Sequence, residues 1–197
     1  QLASIIAAKK GGAAFSNTAP TVAALKKSSN FFLASSPESI AGSIQADIVD
    51  AYFKKFPQKL GPEKSINLIL FLGQLGHPAQ IYRTEAVLKD LGKKGYKVNI
   101  IAKDTANWQP DEAQQKMDAW LNAYKGKFNL ILANNDAMAL GAVESLITAK
   151  YVDDPANPTK DVDGDGTFLK VPVIGVDATQ VALRSMSENK LYATVLQ

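Results

Sequence analysis

The feature that most constrains this chain is an apolar run that stops at polar residues just where a helical pattern begins. Leu130-Ile131-Leu132-Ala133 runs into Asn134-Asn135-Asp136, and a helix-period segment follows from Ala137 to Ala149. Val171-Pro172-Val173-Ile174-Gly175-Val176 ends in the same manner at Asp177. An apolar run without polar alternation is a strand buried on both faces, as in a parallel sheet covered by helices. In open α/β sheets, ligands bind outside the carboxyl ends of the strands. Polar residues at those ends are therefore the first candidates for function.

The same alternation runs through nearly the whole chain. Strands are expected near 12–16, 30–34, 65–73, 96–102, 128–133, 171–176 and 192–196. Helices are expected near 2–10, 20–27, 37–56, 79–93, 110–124, 136–149 and 178–188. Pro37 and Pro110 suit first helical positions, where an amide would be unpaired in any case. Strands alternating with helices imply a doubly wound, mostly parallel α/β sheet with right-handed crossovers. The start is anomalous, because residues 1–10 form a helical pattern with no strand before it. The small polar residues of Phe31-Phe32-Leu33-Ala34-Ser35-Ser36-Pro37 suit a hinge. This divides the chain into a partial first lobe at 1–33, a hinge at 34–36 and a second lobe at 37–196. The longest irregular stretch, Tyr151 to Lys170, is long enough to have its own task.

Composition acts here by exclusion. With 197 residues, 46% of them hydrophobic, the chain can bury a substantial core. A net charge of +3, with lysines in scattered pairs, speaks against nucleic acid as a partner. The absence of cysteine removes disulfides and thiolate chemistry. There is no G-x-S-x-G elbow, phosphate-cradling glycine loop or H-E-x-x-H pair, and the one histidine leaves few general bases, so no enzyme is expected.

The carboxyl edge of the expected sheet collects Gly73-Gln74-Leu75-Gly76-His77-Pro78 with Arg83 beyond it, then Asp104 to Trp108, Asn134 to Asp136, Asp177 and Gln197. Such a set suits a polyhydroxylated ligand. Sugar hydroxyls donate to carboxylates and accept from amides or a guanidinium, and the C–H face of a sugar stacks on an aromatic such as Trp108. Each residue also has a plainer reading. His77 suits a capped turn, Arg83 a helix surface, Trp108 a half-buried loop and Asp177 a helix cap. Asn134 and Asp136 suit helix caps, Asp104 a turn, and Trp120 the core.

Six segments carry a specific resemblance: Gly76-His77-Pro78 with Arg83, Asp104-Thr105-Ala106-Asn107-Trp108, Lys116-Met117-Asp118-Ala119-Trp120, Ala133-Asn134-Asn135-Asp136-Ala137-Met138-Ala139, Gly141-Ala142-Val143-Glu144 and Gly175-Val176-Asp177-Ala178. In order and spacing they resemble the bacterial periplasmic galactose/glucose-binding proteins. The resemblance implies a type I periplasmic-binding-protein lobe with a remnant of the second, and a non-catalytic sugar-binding subunit of an ABC importer. It implies His77, Arg83, Trp108, Asn135, Asp177 and Gln197 as ligands of D-glucose or D-galactose. It also implies a transporter permease as partner, a location in the periplasm or on a lipid anchor outside the cytoplasmic membrane, and no required cofactor.

The chain departs from that family in several places. The family's carboxylate two residues after the histidine is Ala79, which removes a hydroxyl acceptor. Its calcium loop is replaced by Phe56 to Lys64, and the distant glutamate partner of that loop by Asn129, so no calcium is expected there. Gln197 falls where the family has an asparagine. The front of the first lobe is not found in the sequence. Two arrangements stay open, a fragment of a longer chain or a permuted one whose missing lobe segment lies on another chain.

Separately, Asp161-Val162-Asp163-Gly164-Asp165-Gly166 has the D-x-D-x-D-G opening of a calcium loop, although Pro172 stands at the twelfth position. Asp161, Asp163 and Asp165 are therefore candidate calcium ligands, with an Asx-rich solvated turn as the alternative. Two further functional classes stay open. One is the effector core of a LacI-type regulator, which would need a helix-turn-helix head. The other is a carbohydrate-active enzyme, which would need a paired acid and nucleophile.

Overall fold

The computed structural model describes residues 12–16, 22–27 and 29–197. The helix expected at 2–10 and the first two residues of that expected at 20–27 lie outside them. The chain divides after Pro37 into two compact units. In the first unit, β1 (Ala13–Ser16) and β2 (Phe31–Ala34) pair in parallel, with α1 (Val22–Leu25) between them in sequence. The Phe15 and Phe31 rings meet edge to face at 5.8 Å.

The second unit contains α2 (Glu38–Lys55), β3 (Ser65–Leu72), α3 (Pro78–Lys93), β4 (Lys97–Thr105), α4 (Pro110–Tyr124), β5 (Leu130–Ala133), α5 (Asp136–Thr148), β6 (Val173–Val176), α6 (Gln180–Ser187) and β7 (Ala193–Val195). Five strands form one sheet in the order β4-β3-β5-β6-β7, and every pair is parallel. The chain starts at β3, adds β4 on one side, and then crosses to build β5, β6 and β7 on the other. The direction of winding therefore reverses between β3 and β5. Loops leaving the carboxyl ends of these two strands diverge and leave a crevice.

Both sheet faces are covered, for the reason the apolar runs indicated. Ile69, Phe71, Ile131, Ala133 and Val173 point to a core shared with Met117 and Leu121 of α4 and with Met138, Val143 and Leu146 of α5. Leu68, Leu70, Leu130, Leu132 and Ile174 point the other way, against Val49, Tyr52 and Phe53 of α2 and Val87 and Leu91 of α3. Full burial of each such side chain contributes about 1.5–3 kcal/mol. Trp120 packs on Phe71 with ring centroids 4.8 Å apart and belongs to the first core.

The largest boundary difference lies in β4, the other elements among the described residues ending within two residues of expectation. β4 continues to Thr105, three residues past the expected end, and takes in Asp104. It is an edge strand with a register irregularity opposite Leu68 and Ile69, and an edge strand tolerates exposed polar residues such as Lys103 and Asp104. Asp104 is thus a strand residue ion-paired to Lys116 at 2.5 Å, not a turn residue. The 151–170 stretch is irregular and is closed by an isolated antiparallel bridge between Val152 and Leu169.

Candidate functional site

The loops after β3 and β5 are joined at the crevice floor. Asn134, fully buried, accepts from the Gly73 amide at 3.1 Å through Oδ1 and donates to Thr84 Oγ1 at 3.2 Å through Nδ2. It therefore ties β3, β5 and α3 together and does not cap α5. The cap is Asn135, whose Oδ1 accepts from the Met138 amide at 3.0 Å. Its extended backbone, φ −148°, is what a capping residue requires. Asn135 Nδ2 also donates to the Trp108 carbonyl at 3.4 Å.

Asp136 departs from its expected capping role. It is 1% exposed, and its carboxylate accepts from the Thr179 amide at 2.8 Å, from Thr179 Oγ1 at 3.1 Å and from Thr194 Oγ1 at 2.5 Å. It fastens the loop after β6 to β7. Asp177 is likewise no cap, because Thr179 caps α6 by accepting from the Ala182 amide at 3.3 Å.

Trp108 is held from three directions. Gly73 leaves space for its ring: a Cβ there would lie 2.1 Å from indole carbons, so any side chain at 73 would displace the ring. His77 meets it edge to face at 5.3 Å. The backbone is left-handed at both Asn107 and Trp108, with φ of 49° and 68°. Asp177 and Ala178 are left-handed as well, with φ of 115° and 49°. A bulky residue at such a φ costs of order 1–3 kcal/mol, a cost that clusters where loops are shaped for ligands. His77 itself caps α3, Nδ1 accepting from the Ala79 amide at 3.2 Å. In the neutral ring this leaves Nε2 as the donor.

Arg83 lies at the centre of the cluster and is 4% exposed, which no helix-surface arginine would be. Its Nε donates to Glu38 Oε2 at 2.9 Å. Nη1 donates to the Asn134 carbonyl and to Asp177 Oδ1 at 3.3 Å, and Nη2 donates to Gln197 Oε1. Gln197 Nε2 donates in turn to Glu38 Oε2 at 2.6 Å. Burial drives the Asp177 carboxyl up, Arg83 opposes that, and the Asp136 and Glu38 charges add to it, leaving the group pushed up to about 6. Half-exposed at the crevice, Asp177 is a hydrogen-bond acceptor whose charge changes in the mildly acidic range.

All six residues expected as sugar ligands thus lie on one edge of the sheet. Two sets are in direct contact: Arg83, Asp177 and Gln197, and His77, Trp108 and Asn135. The sequence reading missed Glu38, which holds both Arg83 and Gln197. The only local signal was an acid in the first helical turn after Ser35-Ser36-Pro37. It also missed Gln45, buried on α2, whose Nε2 reaches the Ala133 carbonyl at 3.0 Å and the Gly175 carbonyl at 3.3 Å.

The aspartate loop lies elsewhere. Asp161 accepts from the amides of Gly164 at 2.7 Å and Gly166 at 3.0 Å, as an Asx-rich turn does. Lys59 Nζ bridges Asp163, at 2.7 Å, and Asp165. Asp165 is 2% exposed and also accepts from the Tyr52 hydroxyl at 2.6 Å. Burial, and then that carboxylate, raise the Tyr52 hydroxyl pKa. Asp153, Asp161 and Asp163 each place an oxygen within 4.8 Å of the others, so Asp153 stands in the cluster where Asp165 was expected, because the Asp165 carboxylate is taken by Lys59 and Tyr52. At the segment standing for the family's calcium loop, Asn129 Nδ2 donates to the Lys59 carbonyl at 3.0 Å and Oδ1 accepts from the Asn67 amide at 2.7 Å.

A parallel sheet whose winding reverses between β3 and β5, with polar and aromatic side chains gathered at its carboxyl edge, is a doubly wound α/β lobe. The chain belongs to the periplasmic binding protein domain family, whose model matches residues 15–197. It is 33% identical over 168 residues to the D-galactose/methyl-galactoside binding periplasmic protein MglB of Haemophilus influenzae, covering 84% of this chain and 45% of that protein. It is 29% identical to a xylitol-binding protein of Mycolicibacterium smegmatis, covering 80% of this chain and 40% of that one. The crystal structure of an ABC transporter solute binding protein from Bacillus halodurans with bound myo-inositol superposes with a TM-score of 0.64 at 29% identity, over 89% of this chain and 51% of that chain. This chain therefore spans about half the length of the proteins it matches. No helix among the described residues is long and apolar enough to cross a membrane.

Proposed function

We propose that this chain is the sugar-holding lobe of a non-catalytic binding protein that captures a hexose, D-glucose or D-galactose, for an ABC importer. The observation that carries this reading is the Arg83 cluster with the Trp108 face on the same edge. Four of the five guanidinium N–H groups are engaged by Glu38, Asn134, Asp177 and Gln197, which leaves one on Nη2 for a ligand oxygen among the described residues. Asp177 accepts from sugar hydroxyls. Asn135 contributes its second amide proton, His77 its Nε2–H, and Trp108 a stacking surface. Ala79, buried against the helix start, supplies no acceptor. The names of the matched proteins, which refer to galactose, methyl-galactoside, xylitol and myo-inositol, favour a small polyhydroxylated ligand.

Capture would proceed by closure about residues 34–36 and the segment at Gln197, and a membrane permease would recognise the closed form. The place of action would be the periplasm, or a lipid anchor on the outer side of the cytoplasmic membrane. Calorimetric titration with D-glucose, D-galactose, xylitol and myo-inositol, with sucrose as control, tests the reading. Saturable heat is expected for a hexose. Stronger binding of xylitol or myo-inositol would refute the hexose, and no binding of any of them to a chain carrying both lobes would refute the sugar site.

A further inference from the structure

We propose that Glu38 is a positioning residue for the sugar site, and that one arginine clasp joins the ligand-facing guanidinium to the start of α2 and to the segment after β7. Glu38 opens α2, immediately after the division at Pro37, and Gln197 follows β7, 159 residues later. A single carboxylate oxygen, Glu38 Oε2, accepts from Gln197 Nε2 at 2.6 Å and from Arg83 Nε at 2.9 Å. Gln197 Oε1 closes the triangle by accepting from Arg83 Nη2. The side chains of Arg83 and Glu38 are only 5% and 11% exposed, so water competes poorly for these bonds.

The geometry separates two acidic roles around one guanidinium. Glu38 takes the Nε edge and fixes the plane of the group. Asp177, whose side chain is 37% exposed, takes Nη1 at the longer distance of 3.3 Å and faces the crevice. A ligand hydroxyl that enters between Asp177 and Nη1 exchanges one long bond for two, while Glu38 keeps the plane from turning. Any rotation of the guanidinium would in turn move Gln197 and the start of α2. The charged groups facing Asp177 are Arg83 from α3, Glu38 from α2 and Asp136 from α5, so Glu38 also acts on the titration of Asp177.

This inference rests on the sugar-site reading, but its first test does not need sugar. In the 197-residue chain, NMR follows hydrogen exchange at Arg83 Nε and the titration of Asp177 in the wild type, Glu38→Gln and Glu38→Ala. The amide of Glu38→Gln can still accept from Arg83 Nε, so protection should be largely kept. Glu38→Ala should lose it by about tenfold or more, with α2 still formed by circular dichroism. Both variants remove a negative charge, so both should titrate Asp177 at a lower pH than the wild type. A role confined to starting α2 would leave the Arg83 protection unchanged, whereas the titration shift follows from the lost charge alone. Sugar affinity should then fall about tenfold in Glu38→Ala and much less in Glu38→Gln. Unchanged Arg83 protection in Glu38→Ala, or equal sugar binding by all three proteins, would overturn the proposal. If no protein binds sugar while the exchange and titration effects appear, the sugar reading fails and the clasp stands.

Discussion

In the proposed sugar site, Asp177 should make capture depend on pH, and the dependence follows from its surroundings. Its carboxyl is pushed up to about 6, first by burial and then by the charges of Asp136 and Glu38, against the pull of Arg83. A sugar hydroxyl donates to the ionised form. That form makes up about nine tenths of the population at pH 7 and about one tenth at pH 5. Apparent affinity scales with the competent fraction, so the dissociation constant should rise about tenfold between pH 7 and pH 5. Binding at pH 5.5 should release about three quarters of a proton, measurable by titration calorimetry in two buffers of different ionisation enthalpy. Asp177→Asn should bind weakly at every pH and lose most of this dependence. Equal affinities at pH 5 and pH 7 within a factor of two, with no proton release, would refute the argument. In the ligand-free protein the same carboxyl keeps its proton in the folded state where the unfolded chain has lost it. Its stabilising contribution is therefore complete below pH 3.8 and is lost as pH rises through about 6.

Three substitutions separate the site from the core. Trp108→Ala should weaken hexose binding more than tenfold, whereas Trp120→Ala, which removes the ring packed on Phe71, should cost about 3 kcal/mol of stability in urea unfolding; equal effects on both properties would count against Trp108 as the stacking surface. Gly73→Ala places a methyl where indole carbons now lie, so tryptophan fluorescence should shift and sugar affinity should fall with little loss of melting temperature; an unchanged spectrum would mean that the ring is not seated there. Lys59→Met leaves Asp163 and Asp165 without their ammonium partner, and should lower stability by about 3 kcal/mol in chelator while making the melting temperature respond to millimolar calcium more than the wild type does; identical calcium responses would show that the lysine and the ion do not compete.

Much of the fold follows from local rules. β5 and β6 hold only apolar residues and glycine, β3 is apolar from Leu68 to Leu72, and these stretches are buried on both faces as such runs require. β4 shows where that rule stops. Its last three residues include Lys103 and Asp104, and they join the strand because an edge position leaves them in water, a fact of strand order and not of composition. The choice of cap in Asn134-Asn135-Asp136 was equally hidden. Three polar residues in a row all satisfy the local preference, and only the backbone extension at Asn135 selects it.

The sequence by itself determined that a cluster of polar groups would stand at the carboxyl edge of a parallel sheet, because the alternation of strands and helices is written in short-range periodicity. Only the tertiary structure decided which of those groups act together. Glu38 and Arg83 are 45 residues apart, Arg83 and Asp177 94, and Glu38 and Gln197 159. Lys59 finds Asp165 across 106 residues, in a loop whose acidic spacing alone suggested a metal ion. A charge or a hydrogen bond has no periodicity along the chain. Its partner is set by which strands become neighbours and which helices cover them, and that is settled only when the sheet is assembled.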